Sequence, residues 1–281
     1  MKRFFIALSL GLALAGCAPK VVMQATGPAR TANPAEGFLV IKETDAFTGP
    51  AEELGTIYIK DSGFTLSCDY ETVVALATQQ ARQLGANVLR IYEHLQPNMM
   101  STCHRIRAKA LRVADLTPYE TEIVWNPARR LRQVDFKAST ANRPFEAATS
   151  SSLRYHYAGH PLQGKVSLTI ETVFDCQRSY FKGTRNPAYT LAHEQGHFDI
   201  SEIYARRFTK LIQEQVPTVR ELQARQEDLY HQLMLEAQAT QDKYDTEVYA
   251  DPSKQPAWLS QITQQLNELQ PYASKQVTLK I

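Results

Sequence analysis

The spacing of apolar positions divides the chain into two units. "GFLVIKE" (37–43) and "LGTIYIKD" (54–61) are rich in β-branched and aromatic residues and predict strands. "DYETVVALATQQARQLGAN" (69–87) changes to a period near 3.6, with Tyr70, Val73, Val74, Ala77, Ala81 and Leu84 forming one apolar stripe of a helix. Ser67 or Asp69 can cap its start, and Gly85 suits its end. "VLRIYEH" (88–94) and "RIRAKALRV" (105–113) predict further strands. Residues 37–114 therefore read as a small α+β domain, a helix lying on a sheet.

"DLTPYETE" (115–122) reads as a linker, and residues 123–281 as a second unit. "VDFKAST" (134–140), "SSLRYHYAGH" (151–160), "KVSLTIETVFD" (165–175) and "RSYF" (178–181) have the character of strands and their connections. Asn186-Pro187 then opens a helix over 186–215, with proline at its first position. Pro217 marks a break, a second long helix runs from about 218 towards 248, and a third covers 255–273. The expected fold class is α+β, a helix-on-sheet domain followed by one dominated by long helices.

The 281 residues suffice for two separate cores. With a net charge of +2 and no long basic run, nothing points to nucleic acid. The N-terminus changes the picture more. "MKRFFIALSLGLALAGC" has a basic start, an apolar run too short to span a bilayer, and small residues before Cys17. Residues 1–16 therefore read as a secretory signal. Leu14-Ala15-Gly16-Cys17 resembles the lipobox of bacterial lipoproteins, which implies cleavage before Cys17 and its acylation. Several acyl chains give stable anchoring where one does not. Ala18, in place of an aspartate, implies by the same resemblance the outer membrane, facing the periplasm. Residues 17–36, rich in Ala, Pro, Thr and Gly, would be the tether.

An oxidising compartment permits disulfides, and with Cys17 given to lipid, Cys68 and Cys103 are the expected pair. That bond would close a loop of about 35 residues, worth roughly 4 kcal/mol on the chain-entropy model. Cys176 is left over as a buried apolar thiol. The alternative is two separate free thiols. His104 beside Cys103 would be a metal pair without a second cluster to complete it. The block "GANVLRIYEH…STCHRIRA" resembles the small disulfide-bonded domains of bacterial envelope lipoproteins, stress-sensor types included. The resemblance covers residues 37–114 and implies a binding or sensing accessory.

The chemistry concentrates in "LAHEQGHFDISE" (191–202). His193 and His197 are four residues apart, hence about 40° apart around a helix and one turn above each other. Two such imidazoles reach one metal ion at about 2 Å, and Glu194 lies near enough to serve a metal-bound water as base. A catalytic zinc wants three protein ligands and one open position. Glu202 is half a helical circumference from His193, and Asp199 also points away. The third ligand should come from the next helix. A hairpin turn near residue 216 would set Glu236 opposite the histidines, whereas Glu247 needs a turn near 221. Gly196 inside the motif weakens a helix, which the close approach of another backbone or of substrate would justify unless the helix simply tolerates it. His156 and His160 on "RYHYAGH" are further candidates to stabilise a transition state.

"WNPARRLRQVDF", "AATSS", "LAHEQGHFDISEIYAR" and "YDTE…QPAWLSQI" together resemble a bacterial family of predicted secreted zinc-dependent proteases, long grouped as a domain of unknown function. The match covers roughly residues 122–270, and implies a zincin-like metallopeptidase domain. Members carry a Y-D-x-E-T pattern, often followed by His-Gly. Here Tyr244, Asp245 and Glu247 match, Val248 replaces the threonine, and Ala250-Asp251 replace the His-Gly. The acidic pair is the expected source of the third ligand, Glu247 first, then Asp245, with Glu236 third. The resulting expectation is a lipid-anchored periplasmic zinc peptidase acting on protein or peptide, with His193, His197 and Glu247 on the metal and Glu194 as base. The rival expectations are a non-catalytic binding or sensing lipoprotein with a degenerate site, and a zinc amidase acting on cell-wall peptides.

Overall fold

The computed structural model describes residues 19–28, 36–45, 47–62, 68–160 and 164–281. The signal stretch, Cys17, Ser67 and part of the expected tether lie outside them.

The first unit is a five-stranded sheet carrying one helix. Its strands are β1 (Lys20–Ala25), β2 (Leu39–Ile41), β3 (Glu52–Lys60), β4 (Val88–Leu95) and β5 (Arg105–Arg112), in the order β1-β3-β5-β4-β2. All neighbours are antiparallel except β2 and β4, which run parallel. Helix α1 (Tyr70–Gln83) connects β3 to β4 and packs Val73, Ala77 and Ala81 onto the sheet. Asp69 Oδ1 caps it by accepting from the Thr72 N–H at 2.9 Å. Gly85, at φ 83°, ends it: its N–H bonds to Arg82 and that of Ala86 to Ala81, the paired contacts of a left-handed C-terminal cap. Cys68 and Cys103 are bridged, as the sequence led one to expect. The tether reading needs correction. Residues 20–25 form the edge strand β1, paired with β3 from Lys20–Lys60 to Ala25–Gly55. Four of its last five side chains are exposed, so its hydrophobic pattern is too weak to announce a strand.

In the second unit the strand β9 (Lys165–Asp175) is central. One edge pairs along its length with β8 (Ser151–His160). The other is shared by β11 (Gln276–Lys280) at one end and β6 (Glu122–Val124) at the other. Thus the end of the expected linker and the C-terminal tail both become strands. Residues 134–140 are not a strand: Gln133–Asp135 is a 3-10 turn, held because buried Asp135 accepts from the Arg132 N–H and the Arg129 guanidinium. A two-residue ladder joins β7 (Ala147–Ala148) to β10 (Tyr180–Phe181).

Helix α2 (Pro187–Gln215) packs against this sheet, with Asn186 as its cap and Pro187 in its first turn. On its other side lie α3 (Val219–Ala250) and α4 (Gln255–Glu268). Being covered from several directions, α2 is buried around much of its circumference, and its burial includes charged residues. Glu202 is fully buried; it accepts from Arg206 Nε at 2.9 Å, Lys275 Nζ at 2.8 Å and the Thr172 hydroxyl at 2.6 Å. A lone buried carboxylate would be very costly, whereas these partners from α2, β9 and the C-terminal segment satisfy it and tie the three together. Both units contain helices and sheets, and the fold is α+β. Among the described residues no helix is long and apolar enough to cross a membrane.

Candidate metal centre

The second helical turn of α2 faces the last third of α3. His193 pairs with Asp245 and His197 with Gln241, both pairs centred on residue 219, between the two turn positions weighed from the sequence. Asp245 Oδ1 lies 2.9 Å from Nε2 of each histidine, and the two Nε2 atoms are 3.1 Å apart. Three ligand atoms at about 2 Å from one ion in tetrahedral geometry sit about 3.3 Å from one another. The triangle is a few tenths of an ångström tighter than that, and its donor set of two imidazoles and a carboxylate suits a divalent transition metal.

Gln241 fixes the orientation of one imidazole. His197 Nδ1–H donates to Gln241 Oε1 at 2.6 Å, which leaves the Nε2 lone pair directed at the shared point. The Gln241 amide returns a hydrogen bond to the His197 carbonyl at 3.0 Å. His193 is held by packing, its ring stacked on Tyr244 at 4.6 Å and 21°. Tyr244 also explains Gly196. A Cβ there would fall 2.6 Å from the Tyr244 hydroxyl, so the glycine admits a side chain and not, as the sequence suggested, a backbone or substrate.

Glu247 is the expected ligand that the structure moves elsewhere. Two residues beyond Asp245, it is turned about 200° round α3. It accepts from Trp258 Nε1 at 3.1 Å and approaches Lys243 at 3.8 Å. Asp245 takes the place beside the histidines instead. Glu236 is exposed and outside the cluster, as is Asp242. His156 is exposed on β8 and lines a groove between the two sheets, away from the cluster.

Glu194 is buried at the cluster, and its Oε2 has no hydrogen-bond partner among the described residues; nor has buried His193 Nδ1. Burial pushes the Glu194 carboxyl above the usual range, against the opposing pull of His197, the Thr149 hydroxyl and His193. Burial likewise works against a charged His197, but Asp245, Glu194 and Gln241 outweigh it and raise its pKa. Asp245 is held well below the usual carboxylate range, because hydrogen bonds to both histidines overcome its desolvation. Burial, with Asp245 and Glu194 nearby, pushes the Tyr249 phenol up to about 12. A cleft of about 350 Å³ opens onto Glu194, His197 and Asp245, with residues 147–153 along one wall and Met234 and Ala237 on another.

Behind α2, a polar brace links the stretch around Trp125 to the motif. Asp199 accepts from Trp125 Nε1 at 2.8 Å, Gln195 Nε2 at 2.8 Å and Arg130 at 3.0 Å. The Gln195 carbonyl oxygen accepts from the Leu131 N–H at 2.8 Å. Asp199 therefore orients neither histidine; it anchors the outer face of the helix that carries them. No family model, curated protein or solved structure compared with this chain matches it.

Proposed function

We propose that the chain is a zinc-dependent peptidase, lipid-anchored at Cys17 to the outer membrane and facing the periplasm. The observation that carries the reading is the buried Glu194 carboxyl, whose Oε2 has no partner among the described residues, beside the His193–His197–Asp245 triangle in an open cleft. When bound there, zinc supplies positive charge to polarise a peptide carbonyl and brings a water's pKa down to about 7. The remaining work falls to the chain. Glu194 accepts a proton from the attacking water and hands it to the leaving amine. Gln241 holds His197 in the tautomer whose Nε2 faces the metal. The wall at 147–153, tied to α2 by the Thr149 hydroxyl donating to the Glu194 carbonyl at 3.2 Å, gives an extended substrate a surface beside the base. The motifs resembling secreted zinc-dependent proteases agree with this assignment.

Glu194→Gln keeps the size of the side chain and removes its basicity. It should retain zinc and fold while lowering turnover of a peptide-library substrate by about 10²-fold or more, the scale of general-base catalysis. Unchanged turnover with zinc retained would sink the mechanism. A wild-type protein that holds zinc but cleaves neither peptides nor cell-wall peptide stems would instead be the binding lipoprotein of the rival reading.

A further inference from the structure

The turn between β4 and β5 carries the most exposed large apolar side chains among the described residues. Met99 and Met100 stand at its tip, 106% and 95% exposed. The turn is nonetheless well fastened. The Asn98 N–H donates to the Ser101 carbonyl at 2.8 Å, and the Ser101 N–H returns the bond at 3.2 Å. Asn98 Oδ1 also accepts from the Met100 and Ser101 N–H groups, at 2.9 and 3.1 Å. The Ser101 hydroxyl donates to Asp61 Oδ2 at 2.6 Å, which ties the turn to the end of β3. Two residues further on, Cys103 is bridged to Cys68. The fold thus holds two apolar side chains out in solvent, where hydration disfavours them.

The strand register sets where this turn lies. Lys20 pairs with Lys60, Ile59 with Ile106, and Arg105 with Leu95, so one row across the sheet joins the start of β1 to the end of β4. The β4–β5 turn leaves from that row. At about 4.8 Å between strands, its base lies about 10–14 Å from Lys20. Cys17 precedes Lys20 by three residues, a stretch that spans at most about 11 Å when fully extended. A bilayer holding acyl chains at Cys17 therefore lies within that reach of the start of β1. Lys20 and Lys60, in the same row, offer positive charge to lipid phosphates.

We propose that this end of the first sheet rests on the bilayer that anchors the chain, with Met99 and Met100 inserted among the headgroups and upper acyl chains. The proposal rests on the lipid anchor at Cys17 and specifies which surface that anchor brings to the membrane. A phospholipid surface is the occupant because the short reach from Cys17 delivers the turn to it. A protein partner would have to compete for the same end of the sheet.

The test uses the full chain, acylated and reconstituted into vesicles of phosphatidylethanolamine and phosphatidylglycerol. Met99→Trp is compared with Ala51→Trp, an exposed position just before β3 and about 30 Å away at the opposite end of the sheet. Each is read as a difference from the wild-type chain, which carries Trp125 and Trp258. Mass spectrometry of the Cys17 peptide reads the anchor separately. With Cys17 acylated, the indole added by Met99→Trp should emit further to the blue. It should lose at least about half its emission to lipids brominated in their upper chains, the depth of about 5–10 Å that interfacial apolar groups reach. The indole added by Ala51→Trp should do neither. Acylated Cys17 with an unquenched Met99→Trp would overturn the contact and leave the anchor standing, whereas an unmodified Cys17 would overturn both. A dimer on gel filtration that Met99→Ser abolishes would assign the turn to a second copy of the chain instead.

Discussion

Gly196→Ala should destabilise the protein, although alanine is the better helix former. Propensity alone predicts a gain of about 1 kcal/mol in a helix interior. The new Cβ, however, would lie 2.6 Å from the Tyr244 hydroxyl and 3.0 Å from its Cζ, both inside ordinary contact distance. Tyr244 is fully buried, stacked on His193 and packed 5.3 Å from Trp258, so it cannot swing aside freely. Overpacking of this kind costs about 1–3 kcal/mol. With the propensity gain set against it, the net loss should be about 1 kcal/mol, and displacement of Tyr244 should also disturb His193 and weaken metal binding. Tyr244→Phe alone gives up a long hydrogen bond to the His193 carbonyl, at 3.4 Å, and should cost less than about 1 kcal/mol. Combining the two removes the nearest clashing atom, so the double variant should be more stable than the single losses add up to. Urea denaturation of the four proteins without added metal measures the coupling. If Gly196→Ala is stabilising by the full propensity gain, or the coupling is zero, the packing explanation of the glycine is wrong.

Two further outcomes follow from the cysteines. Replacing Cys17 by Ser should move the protein from the membrane fraction to the soluble periplasm, and continued sedimentation with membranes would remove the lipid anchor. Cys176 is fully buried, and burial pushes its thiol up to about 12 from 9.0, so it should resist alkylation at pH 8 until the protein is unfolded. Because the folded value is the higher one, the associated stability is intact below pH 9 and lost as pH rises towards 12; rapid alkylation of the folded protein, read by peptide mapping, would refute the burial.

The sequence made legible what periodicity and local chemistry encode. The stripe from Tyr70 to Leu84, the Asn186-Pro187 start and the break at Pro217 each have a short-range cause, and α1, α2 and α3 stand where those causes put them. Strands whose pairing is long-range were harder. β11 alternates only over Val277 and Leu279, and its partner lies more than a hundred residues away. The histidine pair and Glu194 were readable because one helical turn sets their geometry. The third member of the cluster was not, because it depends on the register between two helices. Centring the hairpin on residue 219 brings Asp245 to both histidines and turns Glu247 to Trp258. Asp245 was the second of the acidic candidates; its spacing from Gln241 repeats that of His193 and His197, both pairs being four residues apart on facing helices. Trp125, Arg130 and Gln195 are functional in a different sense, bracing α2 through Asp199 and Leu131. Their clue lay in the "WNPARRLRQ" stretch, whose role needed the fold to become visible.

The central claim is that His193, His197 and Asp245 hold a zinc ion. Its most direct measurement is the zinc retained through gel filtration by the wild-type chain, Asp245→Ala and Glu247→Gln, read by elemental mass spectrometry. Wild type and Glu247→Gln should each retain one equivalent, while Asp245→Ala loses most of it, because two imidazoles alone hold zinc poorly. Zinc kept by Asp245→Ala and lost by Glu247→Gln, or a wild-type chain unable to take up zinc at all, would contradict it.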